Sequence, residues 1–350
     1  MWSVDWCDFV DRSVAAEPKH ETPPEHCGEL MLKLRIAAFI FACLCLVCQS
    51  ATGQSLSSAE AYNNRGLERQ AKGDLDGAIE DYTKAIGLKA KPSTIATAYN
   101  NRANARMNRN DLAGAIADYG KAIELQPDDA ENYYNRGVAL LTKGDNDEAI
   151  ADFSRAIQIS PKFPLAYNNR GNARKAKGDV DSAITDYSKA IEQQPRYAEG
   201  YYNRGVAWQS KGDADSAIRD YSIALELAPS FTDALVNRGQ AKQSRHDLDG
   251  AIADYNAALA LKTDDAGVYF ARATARHGKK DLNGALADYS RTVELDPSNA
   301  EAWANRAVIE ILQGKGDVAD RDFEKAFKLD PSLKARFKEF IENRGRNPKP

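Results

Sequence analysis

The chain has 350 residues, room for one large domain or two ordinary ones, and its apolar and charged content is that of a folded chain rather than a disordered one. Its formal net charge of −4 gathers at the start, where residues 1–53 hold seven Asp/Glu against four Lys/Arg, so the remainder is close to neutral. No basic stripe runs along the chain, so nucleic acid meets no electrostatic footprint and anionic lipid no charged face. All five cysteines (Cys7, Cys27, Cys43, Cys45, Cys48) precede residue 49. Everything beyond them is without a disulfide, a thiolate metal site or a cysteine nucleophile.

Residues 1–30 are acidic, contain Pro-Pro and two His, and show no folding periodicity. They read as a non-native or disordered extension ahead of a start at Met31, and the spacing of His20, His26, Cys7 and Cys27 fits no common metal pattern. Residues 31–53 follow the grammar of a secretory signal peptide. Lys33 and Arg35 form the basic start, Ile36 to Val47 is an apolar run of twelve, and Ala51 and Gly53 stand at −3 and −1 before Gln54. The run falls short of the ~20 residues of a spanning helix. The expected product is exported, periplasmic or secreted, with residues 54–58 as a linker. The alternative is a membrane-anchored or lipid-modified form, although neither Cys43 nor Cys48 follows a good lipoprotein box.

From residue 59 the sequence repeats with a period of 34, in units beginning near Ala59, Ala96, Ala130, Pro164, Ala198, Thr232, Ala266 and Ala300. Only the first step is longer, by three residues around Lys91 to Thr94. Each unit predicts two helices. Gly73, Gly144, Gly178 and Gly212 end the first in a left-handed turn, the Asp that follows each starts the second, and prolines such as Pro127, Pro161 and Pro195 stop it. A large residue opens each first helix (Tyr62 through Trp303), with Gly or Ala four residues later. The second helix carries Ala and then an aromatic at i+4, from Tyr82 to Phe323. Small against large at fixed offsets lets two helices approach closely. After Pro331, Phe337, Phe340 and Ile341 make one apolar stripe, which predicts a capping helix over 333–344 and leaves 345–350 as a disordered tail.

Over residues 59–332 this pattern resembles the tetratricopeptide repeat, in eight units. The resemblance implies an all-α, right-handed superhelical solenoid of antiparallel helix pairs, with the first helix of each pair on the concave side. One unit cannot bury its apolar face alone, so stacking supplies the core.

Two departures recur. The seventh position, Leu in the family pattern, is Arg throughout: Arg65, Arg102, Arg136, Arg170, Arg204, Arg238, Arg272 and Arg306. The residue before the second-helix aromatic is Asp throughout: Asp81, Asp118, Asp152, Asp186, Asp220, Asp254, Asp288 and Asp322. Matched numbers of opposite charges predict a structural Arg–Asp ladder, within a unit or between neighbours, since guanidinium and carboxylate pair bidentately. The functional alternative is a basic groove for acidic ligands. The sixth position is Asn64, Asn101, Asn135, Asn169, Asn203, Asn237 and Asn305, broken only by Ala271. This series looks like the asparagine ladder in the repeat domain of O-GlcNAc transferase. That likeness implies concave carboxamides gripping the backbone of an extended peptide, with Tyr134, Tyr202 and Phe270 beside them. A carboxamide donates and accepts, so it pairs with any peptide group. The other reading is a solvated or structural face on which duplication copied the Asn.

No catalytic constellation, metal set or cofactor motif stands out. The repeat part has two His, His246 and His277, at breaker and helix-end positions, and nothing is left over for a catalytic domain. The fifth positions carry no Lys, so the carboxylate clamp of cytosolic co-chaperones is missing. The sequence therefore predicts a non-catalytic, monomeric adaptor whose partner is an unidentified protein or extended peptide. No nucleic acid is expected, and any membrane association would come through the N-terminal segment.

Overall fold

The computed structural model describes residues 57–343. The expected extension, signal peptide and C-terminal tail lie outside the described residues, as does the side chain of Phe340. Among the described residues every regular element is helical: α1 (Ala59–Ala71), α2 (Leu75–Gly87), α3 (Pro92–Asn108), α4 (Leu112–Leu125), α5 (Ala130–Lys143), α6 (Asn146–Ile159), α7 (Pro164–Ala176), α8 (Val180–Gln193), α9 (Ala198–Ser210), α10 (Ala214–Leu227), α11 (Thr232–Ser244), α12 (Leu248–Leu261), α13 (Ala266–Gly278), α14 (Leu282–Leu295), α15 (Ala300–Leu312), α16 (Gly316–Leu329) and α17 (Leu333–Asn343). Consecutive helices pair into eight antiparallel hairpins, each packs on the next, and the stack is a right-handed solenoid closed by α17.

Local chemistry sets the boundaries. Six second helices begin on an Asp whose carboxylate accepts from the backbone N–H three residues on, as Asp179 does from Ser182. Between the helices of a pair the chain turns through one left-handed residue. This is glycine at Gly73, Gly144, Gly178, Gly212 and Gly314, but Asn110, His246 and Lys280 take the same turn with φ of 62–64°. The irregular first step has a simple outcome. The extra residues are added to the front of α3, which starts four residues before the expected unit boundary, with Pro92 at its first position.

Within each hairpin the aromatic of the second helix lies against the small residue of the first. A Cβ on Gly171 would sit 2.7 Å from the Tyr187 ring, so glycine is what allows the close approach. The rings of Tyr82, Phe153, Tyr187, Tyr221, Tyr255 and Tyr289 are fully buried, and burial of each large apolar side chain contributes ~1.5–3 kcal/mol. At the C-terminal end Leu333 and Phe337 of α17 join Val308, Phe323 and Ala326, with Ile341 packed at the edge. The Phe323 and Phe337 rings stand 5.7 Å apart.

Candidate binding face

The eight arginines and eight aspartates meet inside each hairpin. Every Arg donates from Nε and Nη2 to the two carboxylate oxygens of the Asp sixteen residues on, at 2.5–3.0 Å. The aspartates are buried, with side chains no more than 8% exposed. Five receive a second cation from the next turn of the first helix: Arg69, Arg106, Arg174, Lys242 and Arg276. The outer guanidinium nitrogen turns to the preceding hairpin and donates to Thr83, Ser154, Ser188, Ser222, Asn256 or Ser290. Seven of the guanidinium groups also lie 4.7–5.9 Å from the ring three residues earlier, Tyr62 through Trp303. Six of the eight Arg thus tie three helices together. The basic-groove alternative fails on this geometry, because the positive charge of the ladder is neutralised within the fold.

The asparagines are also bonded. In five of the seven sixth-position Asn the amide N–H reaches the fifth-position side chain of the hairpin before it. Asn101 donates to Asn63 (2.9 Å), Asn135 to Asn100 (3.4 Å), Asn169 to the Tyr134 hydroxyl (3.0 Å), Asn203 to Asn168 (3.0 Å) and Asn237 to the Tyr202 hydroxyl (3.1 Å). Asn64 has no hairpin before it among the described residues, and the fifth position that precedes Asn305 is Phe270, which cannot accept. These carboxamides are therefore half-buried joints between repeats as well as surface groups. Among the described residues the carbonyl oxygens of Asn101, Asn135 and Asn203 have no partner, and each NH2 keeps a second donor. Tyr134 and Tyr202 pack their rings against Phe163 (4.9 Å) and Phe231 (4.7 Å), and Phe270 packs against Tyr289 (5.7 Å).

A third set of partners follows the core tyrosines, whose buried hydroxyls reach the first helices. Tyr82 and Tyr221 donate to Gln70 and Gln209, Tyr255 to Gln243, and Tyr119 and Tyr187 to Asn104 and Asn172, while Tyr289 meets Thr274. Burial, helped by neighbouring Asp81, pushes the Tyr82 phenol up to about 12, so it remains a donor. Where the ring is Phe153 or Phe323 the facing residues are aliphatic, Val138 and Leu141 or Val308 and Ile311. Free charge near the first-helix N-termini is mixed: Glu131, Glu199 and Asp233, and likewise Lys91, Lys162 and Arg196, are exposed and make no ion pair among the described residues.

Models of the tetratricopeptide repeat match residues 59–92, 100–164, 198–231, 236–300 and 270–332, and a TPR repeat model matches 171–212. Among solved structures, a tetratricopeptide repeat protein from Parabacteroides merdae aligns with a TM-score of 0.54 at 16% identity, over 75% of this chain and 98% of that one. MamA aligns at 30% identity over 46% of this chain and 93% of its own, with a TM-score of 0.43. YrrB, described as a TPR protein with an unusual peptide-binding site, aligns at 21% identity over 53% and 95%, with a TM-score of 0.48. No curated protein sequence matches the chain.

Proposed function

This chain belongs to the tetratricopeptide repeat family, and from that premise we propose a non-catalytic adaptor that holds an extended segment of a partner protein along its concave face, outside the cytoplasm. The carrying observation is the half-used asparagine ladder. One N–H of each bridging carboxamide is held by the preceding repeat, which fixes the group, while the oxygens of Asn101, Asn135 and Asn203 stay uncommitted among the described residues. A backbone lying across them finds an acceptor and a donor at regular spacing, whatever its sequence. Fixing the amides in advance reduces the entropy lost on binding. Each hydrogen bond contributes only ~1 kcal/mol net, so several must act in series.

The extracytoplasmic site rests on the basic, apolar and small-residue order of residues 31–53. N-terminal sequencing should find the mature chain starting at or near Gln54 in a soluble exported fraction; an intact residue 1 or 31 on cytosolic protein would remove that part. For the groove, a random peptide display library selected on the immobilised chain supplies a probe peptide. Changing Asn135, Asn169 and Asn203 together to Ala should weaken that peptide by ~1 kcal/mol per bond lost. Equal binding by parent and triple variant would move the function to another surface.

A further inference from the structure

The ladder breaks at two joints: between α13 and α15, where Asn305 follows Phe270, and between α11 and α13, where the break is matched on both sides. The fifth-position residue of α11 is Val236, which cannot accept, and the sixth-position residue of α13 is Ala271, which cannot donate. Both pack on the apolar cluster around Tyr255 and Leu259. Beside this joint, one turn along α11 from Val236, lies a concave cleft of about 530 Å³ that Ala271 helps to line. Ala271 and Gly267 leave it open, the Phe270 ring forms a wall, and Tyr255 contributes from below with its hydroxyl held by Gln243. The amides of Gln240 and Gln243 stand at its rim.

We infer that this cleft receives one large apolar side chain of the bound segment and thereby sets its register, an inference that rests on the groove reading above. No Asp, Glu, Lys, Arg or His lines the cleft. A charged side chain entering it would lose hydration and gain no counter-charge, whereas an apolar one is removed from water against Phe270 and Ala271. The space exceeds what one side chain fills, so the flanking backbone enters with it. There the free N–H groups of Gln243 and the carboxamide of Gln240 replace the missing asparagine as hydrogen-bonding partners.

The test uses the full chain and the random displayed peptides. Selected peptides should share a large apolar residue at one fixed position, and its replacement by Glu should weaken binding to the parent about tenfold or more. Ala271→Asn introduces the residue that seven other repeats carry at this position, so it is compatible with the fold. It should weaken the same peptide to a similar extent, and selection on this variant should lose the apolar preference. If the fixed position accepts Glu on the parent chain, or if A271N binds as tightly as the parent, the cleft assignment is overturned. The groove still stands in that case, provided the triple Asn variant loses binding. If no peptide is enriched on the parent, both readings are overturned.

Discussion

A buried Arg–Asp pair is a poor general means of stabilisation, because desolvating two charges cancels much of their attraction. Here the geometry compensates: two parallel hydrogen bonds to the carboxylate, a third bond to the neighbouring hairpin and an aromatic face beside the cation. Removing the Arg alone strands the carboxylate, and the cost depends on what remains. Asp186 keeps Arg174 when Arg170 is lost, whereas Asp220 has no second cation when Arg204 is lost, because Trp208 occupies that turn. Arg170→Ala should therefore cost ~2 kcal/mol and Arg204→Ala ~3–5 kcal/mol in chemical denaturation. Equal losses would show that the second cation contributes nothing. The last hairpin reverses the pattern, with buried Glu310 where five other repeats carry Arg or Lys, and one of its oxygens lacks a partner. Burial, and then the nearby Asp322, raise its pKa above the ordinary 4.5, against the opposing pull of Arg306, Lys315 and Arg321. Between 4.5 and the raised value the folded chain holds a proton that the unfolded chain has lost, so stability falls as pH rises through that window. Denaturation followed by Trp303 fluorescence should show this slope in the last repeat, and Glu310→Gln should flatten it.

At the scale of the element, the two-helix unit was legible because its small and large residues keep fixed offsets, and the Arg–Asp spacing of sixteen is constant. The tyrosine partners were not, for a physical reason. The hydroxyl is reached from either of two turns of the first helix, by the ninth residue (Asn104, Asn172, Thr274) or the twelfth (Gln70, Gln209, Gln243), so no single spacing recurs. The asparagines pose a different difficulty, since an amide bonded to the next repeat and one turned to solvent are the same letter. The pairing of tyrosine with amide and phenylalanine with aliphatic gives a direct check. Gln209→Leu should cost ~1–3 kcal/mol by leaving the Tyr221 hydroxyl without its partner, and adding Tyr221→Phe should recover most of that loss. A further loss from the second change would sink the pairing. Another gap is Gly120, which stands where other second helices supply a hydroxyl or amide to the next Arg; its missing Cβ would lie 3.7 Å from Arg136 Nη1. Gly120→Ser should raise the denaturation midpoint, adding ~1 kcal/mol from the bond and part of the ~1 kcal/mol that helical glycine forfeits. An unchanged or lower midpoint would mean that the outer bonds of the Arg series are incidental.

Along the whole molecule, each hairpin touches only its neighbours, so stability grows with the number of joints and the ends need protection. Four of the seven joints are doubly stitched, by an outer Arg bond and by an asparagine, the other three carry one of the two, and an exposed third series runs outside them. Lys177 pairs with Asp147, Lys211 with Asp181, Arg245 with Asp215 and Lys279 with Asp249, and at the last joint both charges are replaced together, by Gln313 and Asn283. Exposed pairs of this kind contribute little singly, so the apolar joints decide the outcome when the array is cut. A fragment ending at residue 299 removes α15, α16 and α17. Ile309 then no longer covers Ala285 and Tyr289, and Asp288 keeps Arg272 and Arg276, so the exposed end is apolar rather than charged. The fragment should self-associate on size exclusion, and amide exchange should be fastest in α13 and α14 and fall off toward α1. Raising salt should not rescue it, because screening acts on charges and the new end has lost an apolar neighbour. A fragment that stayed monomeric, with exchange as slow at α14 as in the full chain, would show that hairpins of this solenoid are stable without a neighbour. The last hairpin and α17 would then have to be retained for some purpose other than closing the stack.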